Sequence, residues 1–251
     1  MNKQAEEVNW QTLEHEGKDK PAWMALIHKR DEIFYFIDHV QTDLDPTGSV
    51  LEIGSGSCWA SSLIKVKSPG CYIVASDVSP SALRKGRQVC PILGGMPDLF
   101  IACDVETLPF NDESFDLCLG NAILHHLSDT TNGLAEIHRV LKRGGTYIGV
   151  GELASGRVLG MVWTSRLGLA GRREQQLGVK EHVNTIRQWG GLFRQVGFEN
   201  VKISFQPQWQ HSLYHWFPPL YYKLIGKFPK FILKHIPCAI KITAKKEEVM
   251  A

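Results

Sequence analysis

A short apolar strand runs into a glycine turn at Val50-Leu-Glu-Ile-Gly-Ser-Gly-Ser-Cys58, with Glu52 two residues before Gly54 and Gly56 two after it. Glycine lacks a Cβ and adopts positive φ freely, so a chain leaving a strand through Gly54, Ser55 and Gly56 brings its backbone close to a ligand. Two more acids stand at corresponding places. Asp77 ends a second apolar run and Asp104 a third. A carboxylate at the first place can accept hydrogen bonds from ribose hydroxyls, and one at the second is within reach of an adenine amino group. Glu52 could hold a cationic amino group, directly or through the loop. After a fourth run comes the pair His125-His126. Histidine titrates near neutral pH, which makes these two the best-placed groups to take a proton from a reacting molecule. The alternative is that one packs on a cofactor and the other faces the core or solvent. No paired carboxylates, serine–histidine arrangement or metal-ligand spacing compete with this set.

These residues need a scaffold that gathers strand ends. Strand-like runs at Val50–Ile53, Cys71–Ser76, Leu99–Cys103, Phe115–Leu119 and Thr146–Val150 alternate with helical patterns at 58–66, from Ser79-Pro80 onward, and at 131–141. Serine can cap free amides and proline fits a first helical turn. The run Lys142-Arg-Gly-Gly145 reads as a helix end. Such alternation predicts an α/β fold with a doubly wound, mostly parallel sheet. In that architecture ligands bind beyond the carboxyl ends of the strands. A dinucleotide site is disfavoured, because its fingerprint needs a third small residue three positions after Gly56 and this chain has Trp59 there. Residues 1–20 are polar and read as loose. Pro21 then opens a helix with an apolar face through Trp23, Ile27, Ile33, Phe34 and Ile37. A helix at 182–196, a strand at 201–205 and a last strand at 239–244 close the pattern.

The motifs in order resemble those of class I S-adenosylmethionine (AdoMet)-dependent methyltransferases that act on small molecules, the "type 11", quinone-biosynthesis-like branch. Glu52-x-Gly54-x-Gly56 is similar to their first motif, and Asp104-Val-Glu-Thr-Leu-Pro-Phe-Asn-Asp-Glu-Ser-Phe-Asp116 to the segment between their third and fourth strands. Asn121-Ala-Ile-Leu-His-His-Leu127 resembles the segment after the fourth strand, and Val140-Leu-Lys-Arg-Gly-Gly145 the turn before the fifth. The resemblance implies a Rossmann-like seven-stranded sheet with an antiparallel last strand and AdoMet as cofactor, released as S-adenosylhomocysteine. It implies cofactor contacts at Glu52, Gly54, Ser55, Gly56, Asp77, Val78, Asp104, Val105, Asn121 and Ala122, with His125 and His126 as candidate bases. It also implies an N-terminal helical lid over 1–47 and a cofactor-binding domain over 48–251. Family members often carry a third glycine where this chain has Cys58, whose Cβ would crowd a turn that required positive φ.

In the expected topology the irregular segments 153–181 and 206–238 sit above the cofactor and build the acceptor pocket. The second is rich in aromatics, which points to a small, apolar or aromatic acceptor. Arg157, Arg166, Arg172 and Arg173 could bind an acidic group on it. From Val201 onward eight lysines face two acids, a net +6 in a chain whose total is +2. The stretch 220–236 alternates lysines with large apolar residues, so peripheral membrane contact through 220–246 or a lipid-like acceptor is one reading and core packing the other. Nothing in the pattern calls for nucleic acid. Six cysteines without CxxC pairing, no signal-like N-terminus and no membrane-length apolar run lead us to expect a soluble, cytoplasmic protein. A non-catalytic protein keeping this fold in a regulatory or membrane-surface role is the alternative to an enzyme. Oligomeric state is not legible.

Overall fold

The computed structural model describes residues 3–16, 22–41, 48–154, 184–205 and 238–248. Its centre is a seven-stranded sheet in the order β3-β2-β1-β4-β5-β7-β6. The strands are β1 (Ser49–Ile53), β2 (Tyr72–Asp77), β3 (Leu99–Ala102), β4 (Phe115–Asn121), β5 (Leu141–Ala154), β6 (Phe198–Phe205) and β7 (Cys238–Lys246). Strands β1 to β5 pair in parallel, while β7 runs antiparallel between β5 and β6. This is the doubly wound sheet with a reversed last strand that the sequence predicts.

Alternation along the strands sends side chains to two separate cores. Leu51, Ile53 and Cys118 face one cluster, with Leu134, Ile137, Trp189 and Phe193 from helices α6 (Thr130–Val140) and α7 (Ile186–Gln195). Val50, Leu117 and Leu119 face the other, with Trp59 and Ile64 from α4 (Trp59–Lys67) and Phe36 from α3 (Arg30–Phe36). Period-two alternation with both faces buried is what a helix-covered parallel sheet requires. Local signals fix the helix starts. Ser79 Oγ accepts from Ala82 N at the start of α5 (Pro80–Leu93), and Thr185 with Gln188 forms a capping box on α7.

Three elements differ from expectation. Residues 3–16 form a helix, α1, because Glu7 finds Ser79 and Ser81 and Trp10 finds Gly56, contacts that no local pattern reveals. The apolar stretch after Pro21 is two short helices, α2 (Met24–His28) and α3, broken at Lys29 and followed by a π-helical turn at Ile37–Gln41. Finally, Lys142–Gly145 belongs to β5 rather than to a helix end. The ladder with β4 shifts register there, between Phe115 and Leu117, and Gly144 takes φ 71°.

Candidate active site

The carboxyl ends of β1, β2, β4 and β5 lie side by side at one edge of the sheet, and the predicted residues gather there. The turn after β1 is tight: Cys58 N donates to Ser55 O at 2.7 Å and Ser55 N to Ser76 O at 2.8 Å. Gly54, Gly56 and Cys58 all take left-handed φ, at 57°, 51° and 56°. The first two do so without a Cβ penalty. A Cβ on Gly54 would stand 2.5 Å from Ile123 Cδ1, and one on Gly56 3.2 Å from the Trp10 ring. Cys58 does carry a Cβ in this conformation, which costs an L-residue about 1–2 kcal/mol. Its fully buried thiol lies where a side chain on Gly86 would otherwise be.

Asp77 ties this turn to the start of α5. Its Oδ2 accepts from Gly56 N at 2.8 Å and its Oδ1 from Ser79 N at 2.9 Å. Burial pushes its carboxyl up to about 6, against those amide bonds. Glu52 lies on the opposite side of β1 from Leu51 and Ile53, under α4. Its Oε2 accepts from Ser61 N at 2.9 Å and from the Ser61 hydroxyl, and burial pushes it up to about 7. Glu52 therefore acts on the turn through α4. Asp104 is buried, with Oδ1 accepting from Glu106 N at 3.1 Å, and Val105 is buried beside it, while Val78 is half-buried.

After β4 the chain turns through Ala122, at φ 53°, into a 3₁₀ turn, Leu124–His126. Asn121 Nδ2 donates to Glu32 Oε2 at 3.0 Å, tying β4 to α3, and Glu32 also pairs with Lys29 at 3.0 Å. Leu124 and Leu127 are fully buried on either side of the two histidines, each contributing about 1.5–3 kcal/mol. The histidines have unequal surroundings. His125 Nδ1 lies 2.9 Å from Glu152 Oε2, and both residues are buried. His126 stacks on it, with ring centroids 4.3 Å apart and planes tilted by 39°. His126 Nδ1 lies 3.7 Å from Glu6 of α1 and makes no hydrogen bond. Burial first, then the neighbouring His125 and Lys29, push His126 down to about 3, so it is neutral at physiological pH.

Residues the sequence reading did not single out complete the site. Glu152 collects Ile123 N and Leu124 N at 3.0 Å each and His125 N at 3.3 Å. It is an acid toward the carboxyl end of its strand, like Asp77, but the sequence pattern ends that strand at Val150. Glu7 accepts from the hydroxyls of Ser79 and Ser81; burial opposes its ionisation, but these bonds and one from Gln11 outweigh it and hold the carboxyl below its ordinary range. With Trp10 over Gly56, α1 lies across the glycine turn.

Residues 51–149 match the family described as "Methyltransferase domain". This stretch, about two fifths of the chain, is similar to that family. It contains every predicted cofactor and catalytic position, while α1, α3 and Glu152 lie outside it. Among curated relatives, the mitochondrial arginine-hydroxylase NDUFAF5 of Danio rerio is 30% identical over 132 residues, covering 51% of this chain and 38% of that protein. Demethylmenaquinone methyltransferase of Streptomyces avermitilis is 32% identical over 106 residues, covering 42% of this chain and 43% of that one. The chain thus spans about two fifths of the length of these relatives. Among solved structures, the complex of the Haloferax volcanii Trm112 methyltransferase activator with a methyltransferase gives a TM-score of 0.65 at 18% identity, covering 91% of this chain and 97% of that chain. A methyltransferase structure from Bacillus halodurans gives 0.62 at 16%, covering 86% and 99%. The matched stretch therefore sits in a fold that these structures share.

Proposed function

We propose that this chain is an AdoMet-dependent methyltransferase acting on a small, apolar or aromatic acceptor. The observation that carries it is the pairing of the glycine turn with Asp77. Its two oxygens accept from Gly56 N and Ser79 N, Val78 N also favours the ionised form, and lone-pair capacity remains for a ribose hydroxyl. The rest fits the same ligand. Gly54 and Gly56 carry the turn through left-handed φ that a side chain would strain, Asp104 stands beyond the next strand, and Val78 and Val105 offer apolar surface for a base. AdoMet would supply a methyl group already activated by positive sulfur, so the protein's principal task is alignment of the acceptor. Residues 1–47 serve as a lid in this reading, supported by Trp10 over Gly56 and by Glu6 beside His126. The acceptor pocket falls on 153–181 and 206–238, of which nearly all lies outside the described residues, as does most of the 220–246 stretch read for membrane contact. No helix among the described residues is long and apolar enough to cross a membrane.

Titration calorimetry of AdoMet and S-adenosylhomocysteine against the wild type and Asp77→Asn tests the reading. Charge-assisted hydrogen bonds contribute about 1.5–3 kcal/mol, so the variant should bind about 10–150-fold more weakly. Absence of binding to folded wild type, or undiminished binding to the variant, would overturn it. The hydroxylase name of one relative supplies a second reading, and transfer of labelled methyl rather than of oxygen to the product decides between them.

A further inference from the structure

The two histidines after β4 are adjacent in sequence and stacked in space, yet only one is held. Glu152 is fully buried, and four donors converge on it: the amides of Ile123, Leu124 and His125, and His125 Nδ1. Three backbone amides already donate to this carboxylate, so it serves as an acceptor for the ring too, which assigns hydrogen to Nδ1 and the lone pair to Nε2. The three amides fix the backbone under the ring, and Leu124 and Leu127 anchor the turn. Its position is also defined. Ile123 packs against Gly54 on one side, and on the other His126 faces Glu6 of the helix that covers Gly56. His125 therefore stands between the glycine turn and the face covered by the N-terminal helices. The titratable groups around it are Glu152 from β5, His126 in the same turn, Glu6 from α1 and Lys29 between α2 and α3.

We infer that Glu152 is a positioning residue that presents His125 Nε2 as the proton acceptor for a substrate bearing a weakly acidic hydroxyl, a phenol or enol. This rests on the methyltransferase reading and narrows it. A carboxylate acceptor is already deprotonated, and an amine in its uncharged form attacks through its own lone pair and loses its proton afterwards. A phenolic or enolic hydroxyl is a poor nucleophile until its proton leaves and gives it up as the new bond forms, so a fixed base contributes most there. In that step the hydroxyl proton moves to His125 Nε2 and the O–H electron pair stays on oxygen, while Glu152 stabilises the resulting imidazolium through Nδ1–H. His126 stacks on the ring as a neutral neighbour and takes no part in the transfer.

The test uses the full chain in two measurements. Nitrogen NMR of histidine-labelled protein near neutral pH should show His125 as the neutral Nδ1–H tautomer, inverted in Glu152→Gln, whose amide presents a donor to the ring. An Nε2–H tautomer or an imidazolium in the wild type overturns the proposal without any substrate. Transfer of labelled methyl from AdoMet is then measured to catechol, naphthohydroquinone, phenylethylamine and benzoate. The phenolic probes should be methylated, and Glu152→Gln and His125→Asn should each lower kcat about 100-fold or more. KM should hold within about threefold. Wild-type kcat in folded Glu152→Gln, or failure of the phenolic probes, overturns it. Loss of AdoMet binding in wild type as well as variants would instead count against the methyltransferase reading itself.

Discussion

The left-handed Cys58 and the helical Gly86 form a compensated pair, and a four-protein cycle measures it. A Cβ on Gly86 would stand 2.4 Å from Cys58 Sγ and 3.0 Å from Cys58 Cβ. Cys58 is fully buried and Gly86 is buried opposite it, on a helix where glycine is otherwise unfavourable. On helix propensity alone Gly86→Ala would stabilise by about 1 kcal/mol, whereas overpacking a closed core costs about 1–3 kcal/mol. Rotating the cysteine about χ1 moves Sγ but leaves Cβ in place, so the upper part of that range applies. The net expectation is a loss of about 1–2 kcal/mol. Cys58→Gly removes both struck atoms and the left-handed strain. In that background Gly86→Ala should instead stabilise, by up to about 1 kcal/mol, and the coupling between the two sites should be about 2–3 kcal/mol. Urea unfolding of wild type, both single variants and the double variant gives the number. Additivity within about 0.5 kcal/mol would refute the argument, because the two side chains would then not share one space.

Two predictions concern protons. Glu52 is pushed up to about 7 by burial, so folding favours its neutral form. Its contribution is full below the unfolded value of about 4.5 and is lost as pH rises through 7, about 3 kcal/mol in all at 1.36 kcal/mol per unit. Glu52→Gln, which keeps an acceptor for Ser61, should remove that loss and be more stable than wild type near pH 8; equal thermal midpoints there would contradict it. Asp77, pushed up to about 6, must be ionised to receive hydroxyl donors. Cofactor affinity should therefore fall as pH drops through about 6, approaching tenfold per unit, and titration calorimetry showing a flat affinity between about pH 8 and pH 5 would rule this out.

The sheet was legible because its signals are local and repeated. Apolar runs of strand length, each ending in an acid or a glycine turn, placed β1 to β4 within two residues of where they lie. The same logic found Asp77, because an acid just past a strand end must stand at the ligand edge. It missed Glu152 because β5 was read as ending at Val150, and the extension to Ala154 comes from pairing with β7, far away in sequence. Helix α1 was illegible for a related reason. Its residues are mostly polar, and what orders them is contact with Ser79, Ser81 and Gly56, far away in sequence. Gly86 could be read only once Cys58 was known to be left-handed.

The acids at the strand ends look alike in sequence, yet their hydrogen bonds separate them by role. An ionised carboxylate offers about four lone-pair directions. Glu152 uses four, on three amides and a ring nitrogen, so it has none left for a ligand and acts only through His125. Glu52 uses two on one oxygen and is 1% exposed, so its remaining capacity faces protein and its effect is to seat α4 behind the glycine turn. Asp77 alone of these three combines spare lone-pair capacity with a place beside the turn that a ligand would approach. Position at a strand end therefore selects candidates, and the count of unfilled lone pairs separates the ligand-binding acid from the two that hold the site in shape. The same distinction explains why a shared sheet does not dictate a shared reaction. The scaffold acids can persist while the chemistry changes with the groups they position, as the hydroxylase and methyltransferase names among the relatives of this domain illustrate.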